Sequence, residues 1–269
     1  MTQLQTAELE ILIQFDSLCR ELGVTYYLVC GSALGAVKYG GFIPWDDDID
    51  VAMPRNDYEV FLQKAPEMLP KGLFLQNFHS EPRFPQIYSK LRNSATTYIE
   101  SSAAALPINH GIFIDIFPLD GYPAGKLAHK RLEFMKKLYT GMMYTAYDLP
   151  RSGKGKLLCS LFRALGVHRR TDRIAARLDR LIRKYPAVPG GILCNHGNWQ
   201  GVLDYAPYDW FGDGAEATFE GLRVRVPVRY DEYLHRKYGD YRLDPPKEEQ
   251  VGHHYYKVCD LDKPYTDYL

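Results

Sequence analysis

Four aspartates in five positions, Asp46, Asp47, Asp48 and Asp50, stand directly ahead of a stretch that alternates like a buried strand. Two like charges about 4 Å apart repel by roughly 4 kcal/mol at an effective dielectric of about 20, whereas an exposed ion pair returns only about 0–1 kcal/mol. Such crowding at the entrance to a core is either splayed into water or held for a cation. Ile49, Val51 and Met53 alternate with Asp48, Asp50 and Ala52, so a strand here puts Asp48 and Asp50 on one face. Asp47 is out of phase with that pair. Asp46 and Asp47, after Pro44-Trp45, are expected to order the loop or bind a backbone N–H, not to ligate metal. An EF-hand is excluded, because the positions that need glycine and glutamate hold Val51 and Asp57.

The surrounding pattern is that of an α/β or α+β chain. A helical spacing of Leu9, Leu12, Ile13, Leu18 and Leu22 stops at Gly23. "VTYYLVC" follows as a buried strand ending at Gly31-Ser32, and "ALGAVKYGG" as a helix. "NDYEVFLQKAPEML" predicts a helix capped by Asn56, and "GIFIDIFPLDG" a second buried strand interrupted by Asp115. Glycine at a strand-to-helix join lets backbone approach a ligand, and helix N-termini attract phosphate. A third carboxylate on a neighbouring strand could complete a site for one or two Mg²⁺ ions, the arrangement that serves phosphoryl transfer.

Thirty-three basic and thirty-three acidic residues cancel, which argues against a surface built to hold nucleic acid. Cys19, Cys30, Cys159, Cys194 and Cys259 are widely spaced, with no CxxC pair, and fit a reducing compartment. The N-terminus has neither the basic start nor the uninterrupted apolar run of a signal peptide. A cytoplasmic location is expected, with peripheral contact at the inner face of the membrane left open. Between Arg151 and Lys184, eleven Lys/Arg face two Asp. There "TDRIAARLDRLIRKY" sets Ile174, Leu178, Leu181, Ile182 and Tyr185 on one helical face, read as core-directed. "RSGKGK" is not a P-loop, since Pro150 and Leu157 occupy its defining positions. "FEGLRVRVPV" predicts one late strand.

"CGSALGAVKYGGFIPWDDDIDVAMPRNDYEVF" closely resembles the signature block of the LicD family of phosphocholine transferases, in the nucleotidyltransferase-fold superfamily. "KLRNSATTYIE", "NHGIFIDIFPLDGYP" and "YDEYLHRKYGDYRLDPP" are similar to later family segments. The resemblance implies a nucleotidyltransferase-like core, a mixed sheet flanked by helices, at residues 1–122. Residues 123–269 are then a mainly helical substrate or acceptor region, with a late strand returning to the core. It places the glycine-serine, paired-acid and third-acid pattern on Gly31, Ser32, Asp48, Asp50 and Asp115. It also implies transfer of phosphocholine from CDP-choline, or a related CDP-alcohol, to a hydroxyl of a glycan or lipid-linked glycan of lipopolysaccharide or teichoic acid type. CMP would leave. Mg²⁺, with Mn²⁺ as substitute, is the expected cofactor.

Lys38, Lys90 and Arg92 are candidates to neutralise the diphosphate, against ordinary surface charge. Asp115 is read as metal ligand, as base for the acceptor hydroxyl, or both. Trp45, Tyr98 and Trp199 are aromatic candidates for a choline contact, against core packing. His110, His196, His253 and His254 are read as structural or solvent-facing. The rivals are a nucleotide-sugar glycosyltransferase, ordinary nucleotidyl transfer and a catalytically silent scaffold.

Overall fold

A computed structural model describes residues 1–147, 149, 153–197, 205–252 and 255–269. Thr2 opens α1 (Gln3–Leu22) with a capping box. Its hydroxyl accepts from the Gln5 amide at 3.1 Å, and the Gln5 side chain accepts from the Thr2 amide at 2.8 Å, satisfying two donors orphaned at a helix start. Gly23, at φ +66°, closes the helix in the left-handed region. The apolar run after it yields only a two-residue strand, β1 (Tyr27–Leu28), before α2 (Cys30–Lys38). β2 (Asp50–Pro54) begins at the second aspartate of the alternation rather than the first, and α3 (Arg55–Met68) follows it directly.

β3 (Leu73–Gln76), β4 (Ser89–Asn93), β5 (Thr97–Glu100) and β6 (Ile112–Gly121) complete the first half. β6 is buried along its whole length, as a run apolar on both faces must be. The sheet order is β1-β2-β6-β4-β3. Its single parallel contact among these strands is β2 with β6, and the others are antiparallel.

The second half begins with α4 (Lys126–Ala146), α5 (Gly153–Ala164) and α6 (Thr171–Ile182). Helices carry most of the regular structure of this half, and short strands follow α6. β7 (Ile192–Cys194) pairs with the end of β6, and β8 (Tyr205–Pro207) pairs with β7. The late segment expected as one strand is a hairpin, β9 (Ala215–Phe219) and β10 (Leu222–Val226). Its two loop residues, Glu220 and Gly221, lie at φ +48° and +81°. Positive φ at both central positions matches the right-handed strand twist and closes the tightest hairpin. α7 (Tyr230–Tyr238) follows, and β11 (Tyr256–Asp260) pairs antiparallel with β5. Among the described residues, seven α-helices and a mixed sheet make an α+β fold, and no helix is long and apolar enough to cross a membrane.

One buried cluster joins α1, α2, α3 and α7 to the sheet; a second lies beneath α4 and α6 with Phe78 and Ile87. Leu178, Leu181 and Ile182 are buried in the second, with Ile174 and Tyr185 packed against it. The α6 stripe is therefore core-directed, as its spacing predicts.

Candidate active site

The parallel contact brings together acids that are far apart in sequence. Asp50 at the start of β2 is the register partner of Asp115 in β6, and Lys90 in β4 is Asp115's partner on the other side. Gln76 of β3 pairs with Lys90. Residues in register share a face, so Gln76, Lys90, Asp115 and Asp50 form one polar row across four adjacent strands. The Lys90 ammonium lies 3.1 Å from the Asp115 carboxylate and 3.4 Å from that of Glu100. It also stands 3.3 Å above the centroid of the Phe113 ring, a cation–π contact strengthened by desolvation.

Lys90 and Arg92 are buried, not surface charges. Arg92 is fully enclosed, donating to Gln76 at 2.6 Å, the Gly111 carbonyl at 2.6 Å and Glu100 at 3.1 Å. It braces the sheet one row beyond Lys90. Lys38, at the far end of α2, donates to the Tyr241 carbonyl at 3.0 Å and pairs with Asp244 at 2.6 Å. Its charge is engaged by the C-terminal segment, about 9 Å along the helix axis from Ser32.

Gly31 and Ser32 occupy the first turn of α2. The Ser32 hydroxyl accepts from the Asp50 amide at 2.8 Å, so it positions the start of β2. A Cβ on Gly31 would lie 2.6 Å from Asp46 Oδ2. The close approach that requires glycine is thus made by the chain's own carboxylate. Just before it, Cys30 has φ +51°, uncommon for a residue with a Cβ. Its N–H donates to the Tyr233 hydroxyl of α7 at 3.1 Å.

Because Asp46 to Ile49 precede the strand, strand alternation does not govern them. Carboxylate oxygens of Asp46, Asp47 and Asp48 lie within 4.8 Å of one another. Burial, and the charges of Asp48 and Asp47 beside it, push the Asp46 carboxyl up to about 8. The first two acids therefore sit with Asp48, which the period-two reading does not anticipate. Tyr238, the last residue of α7, was also invisible to sequence reasoning. The residue as a whole is 41% exposed, but burial of its phenol end and the nearby Cys30, Asp50, Asp46 and Asp48 hold that phenol above the ordinary value.

Of the aromatic candidates, Tyr98 is core, with ring centroids 5.8 Å from Phe113 and 5.1 Å from Tyr256. Trp45 is half-buried, edge-on to Tyr39 at 6.3 Å. Trp199, His253 and His254 lie outside the described residues. His110 and His196 are buried, each with Nε2 on a backbone carbonyl, of Leu106 at 3.0 Å and of Gly121 at 3.2 Å. Both are structural.

A strand-to-helix Gly-Ser, followed by acids in register on two parallel strands, is organised as a nucleotidyltransferase domain is expected to be. Residues 23–141 match the family model described as LicD/FKTN/FKRP, nucleotidyltransferase domain. Over 261 residues the chain is 27% identical to the lipopolysaccharide cholinephosphotransferase LicD of Haemophilus influenzae, covering 91% of this chain and 92% of that protein.

Proposed function

We propose that this protein transfers phosphocholine from CDP-choline, or a related CDP-alcohol, to a hydroxyl of a cell-surface glycan, releasing CMP. The observation that carries the proposal is the pairing of Asp50 with Asp115 on adjacent parallel strands, with Lys90 against Asp115. The family match and the relative named a lipopolysaccharide cholinephosphotransferase support the reaction class and a lipopolysaccharide-type acceptor.

An oxygen-only donor set crowded into a half-buried loop, with Asp46 pushed up by its neighbours, fits a hard divalent cation such as Mg²⁺. Asp48 would hold it together with the converging Asp46 and Asp47, and Asp50 and Asp115, paired in register on the adjoining strands, would complete the set. When bound, it supplies charge stabilisation to the phosphate oxygens of the donor. Gly31 and Ser32 place the positive end of α2 against Asp46 and Asp50, which also favours a phosphate there. The acceptor hydroxyl attacks the choline-bearing phosphorus in line. An O–P bond forms as the bond to CMP breaks, and Asp115 takes the hydroxyl proton. Lys90 steadies Asp115 from the far side, while Arg92 and Glu100 hold Lys90 in place.

The test is CMP release by the purified protein with CDP-choline, Mg²⁺ and a panel of glycans. Asp50→Asn and Asp115→Asn are each expected to lower turnover by at least about a hundredfold, with the thermal midpoint little changed in the first and lowered in the second, where the buried Lys90 loses a charged partner. Full turnover in either variant would sink the assignment. So would release of pyrophosphate with the nucleotide left on the acceptor.

A further inference from the structure

α5 touches the rest of the protein along a narrow edge. A Cβ on Gly141 of α4 would lie 3.0 Å from the Phe162 ring and 3.5 Å from Leu158, so the two helices meet closely at that glycine. On another side of α5, Leu157 and Leu161, four residues apart, with Leu165 one residue past its end and still bonded back to the Leu161 carbonyl at 2.9 Å, are 75%, 52% and 68% exposed. That spacing makes one continuous apolar row. Phe134 and Leu127, 61% and 83% exposed, lie seven and fourteen residues before Gly141, on the α4 stripe that α5 covers only at its Gly141 end. With Leu158 at 39%, six large apolar side chains among the described residues of this helical hairpin are left to solvent.

The charge around them is one-sided. Residues 126–170 carry eleven Lys/Arg against Glu133 and Asp148, in a chain whose Lys/Arg and Asp/Glu as a whole balance. Lys130, Arg131, Lys156, Arg163, Arg169 and Arg170 are all exposed. A helix with leucines on one side and cations flanking them is built to lie in an anionic lipid interface. A second copy of the chain would bring like charge against like, which disfavours self-association through this face.

We propose that the α4–α5 hairpin is a membrane-surface dock, with Leu157, Leu161 and Leu165 entering the headgroup boundary of an anionic bilayer and the surrounding Lys/Arg holding its phosphates. The proposal is independent of the reaction assigned above, and its test reads no turnover.

The full-length protein is sedimented with vesicles of phosphatidylglycerol and phosphatidylethanolamine, and in parallel with phosphatidylcholine vesicles. Binding is expected to the anionic vesicles, and to weaken as NaCl rises from about 0.1 to about 0.5 M. The pair Leu157→Gln and Leu161→Gln should lower vesicle affinity by about tenfold or more, with an unchanged thermal midpoint because both side chains are already exposed. No sedimentation with anionic vesicles overturns the proposal. Unchanged binding by the double variant overturns it too, since charge alone would then explain the affinity. A wild-type dimer that the double variant converts to monomer would assign the face to a second copy instead.

Discussion

At the scale of single residues, the site depends on one missing methyl group and on two cations hidden in the sheet. Gly31→Ala would drive a Cβ to within 2.6 Å of Asp46 Oδ2. The Asp46 carboxylate must then shift, and CMP release is expected to fall about tenfold or more, measured in steady state, while urea unfolding changes little. The importance of Gly31 was legible in the sequence, but its neighbour was not, because contact between positions 31 and 46 depends on how the loop folds. Lys90 and Arg92 show the converse. Their alternation with Leu91 reads equally as a solvent-facing strand edge, and only the Glu100 and Asp115 carboxylates beside them explain their burial. His196 gives a pH test. Burial, then the positive charges of Lys136 and Arg55, lower its imidazole to about 3, while the Tyr122 ring stacks 6.0 Å away. The unfolded chain protonates near 6.5 and the folded one does not. Stability attached to this group is thus complete above about 6.5 and is lost as pH falls toward 3, by up to about 1.4 kcal/mol per pH unit. His196→Gln is expected to flatten that part of the acid limb in urea titrations at stepped pH, while buried His110, also lowered, still contributes a slope of the same sign.

At the scale of elements, α6 is docked by an ion network as well as by its apolar stripe. Arg55, the first residue of α3, forks onto Asp120 of β6 at 2.8 and 2.5 Å and reaches Asp179 of α6 at 3.1 Å and Glu59 at 3.0 Å. Arg183 closes the loop onto Asp179 and Glu59. Arg55→Met strands the buried Asp120 carboxylate and is expected to cost about 3–5 kcal/mol in urea unfolding. A loss under 1 kcal/mol would show that the network contributes little beyond packing. Hydrophobic period identified α1, α3, β6 and α6, because each commits an apolar face to one core. It did not separate β9 from β10, since the turn between them rests on Glu220 accepting positive φ. Nor did it find β3, β4 and β5, whose short runs carry polar side chains on a face that other elements bury.

At the scale of the whole molecule, the sheet order is what brings the catalytic candidates together. Asp115 was legible as a costly carboxylate in a buried strand, and Asp50 as one of a spaced pair. That they are register partners follows from β2 and β6 being parallel neighbours, a long-range choice that no local period encodes. The distribution between halves was less legible. Composition pointed to a helical second half, which α4 to α7 supply, but not to β7 extending the first-half sheet or β11 pairing with β5.

Residues 256–260, which close on 97–100, leave the ribosome well after their partner strand. Until then β5 keeps a bare edge, and α2 also waits for Tyr233 to reach the Cys30 amide. Pairings so distant along the chain close slowly and leave unfinished intermediates exposed to association. Ribosome-stalled chains ending before Tyr230 should therefore be cut readily by protease within residues 95–111, and release of the full chain should bring protection there.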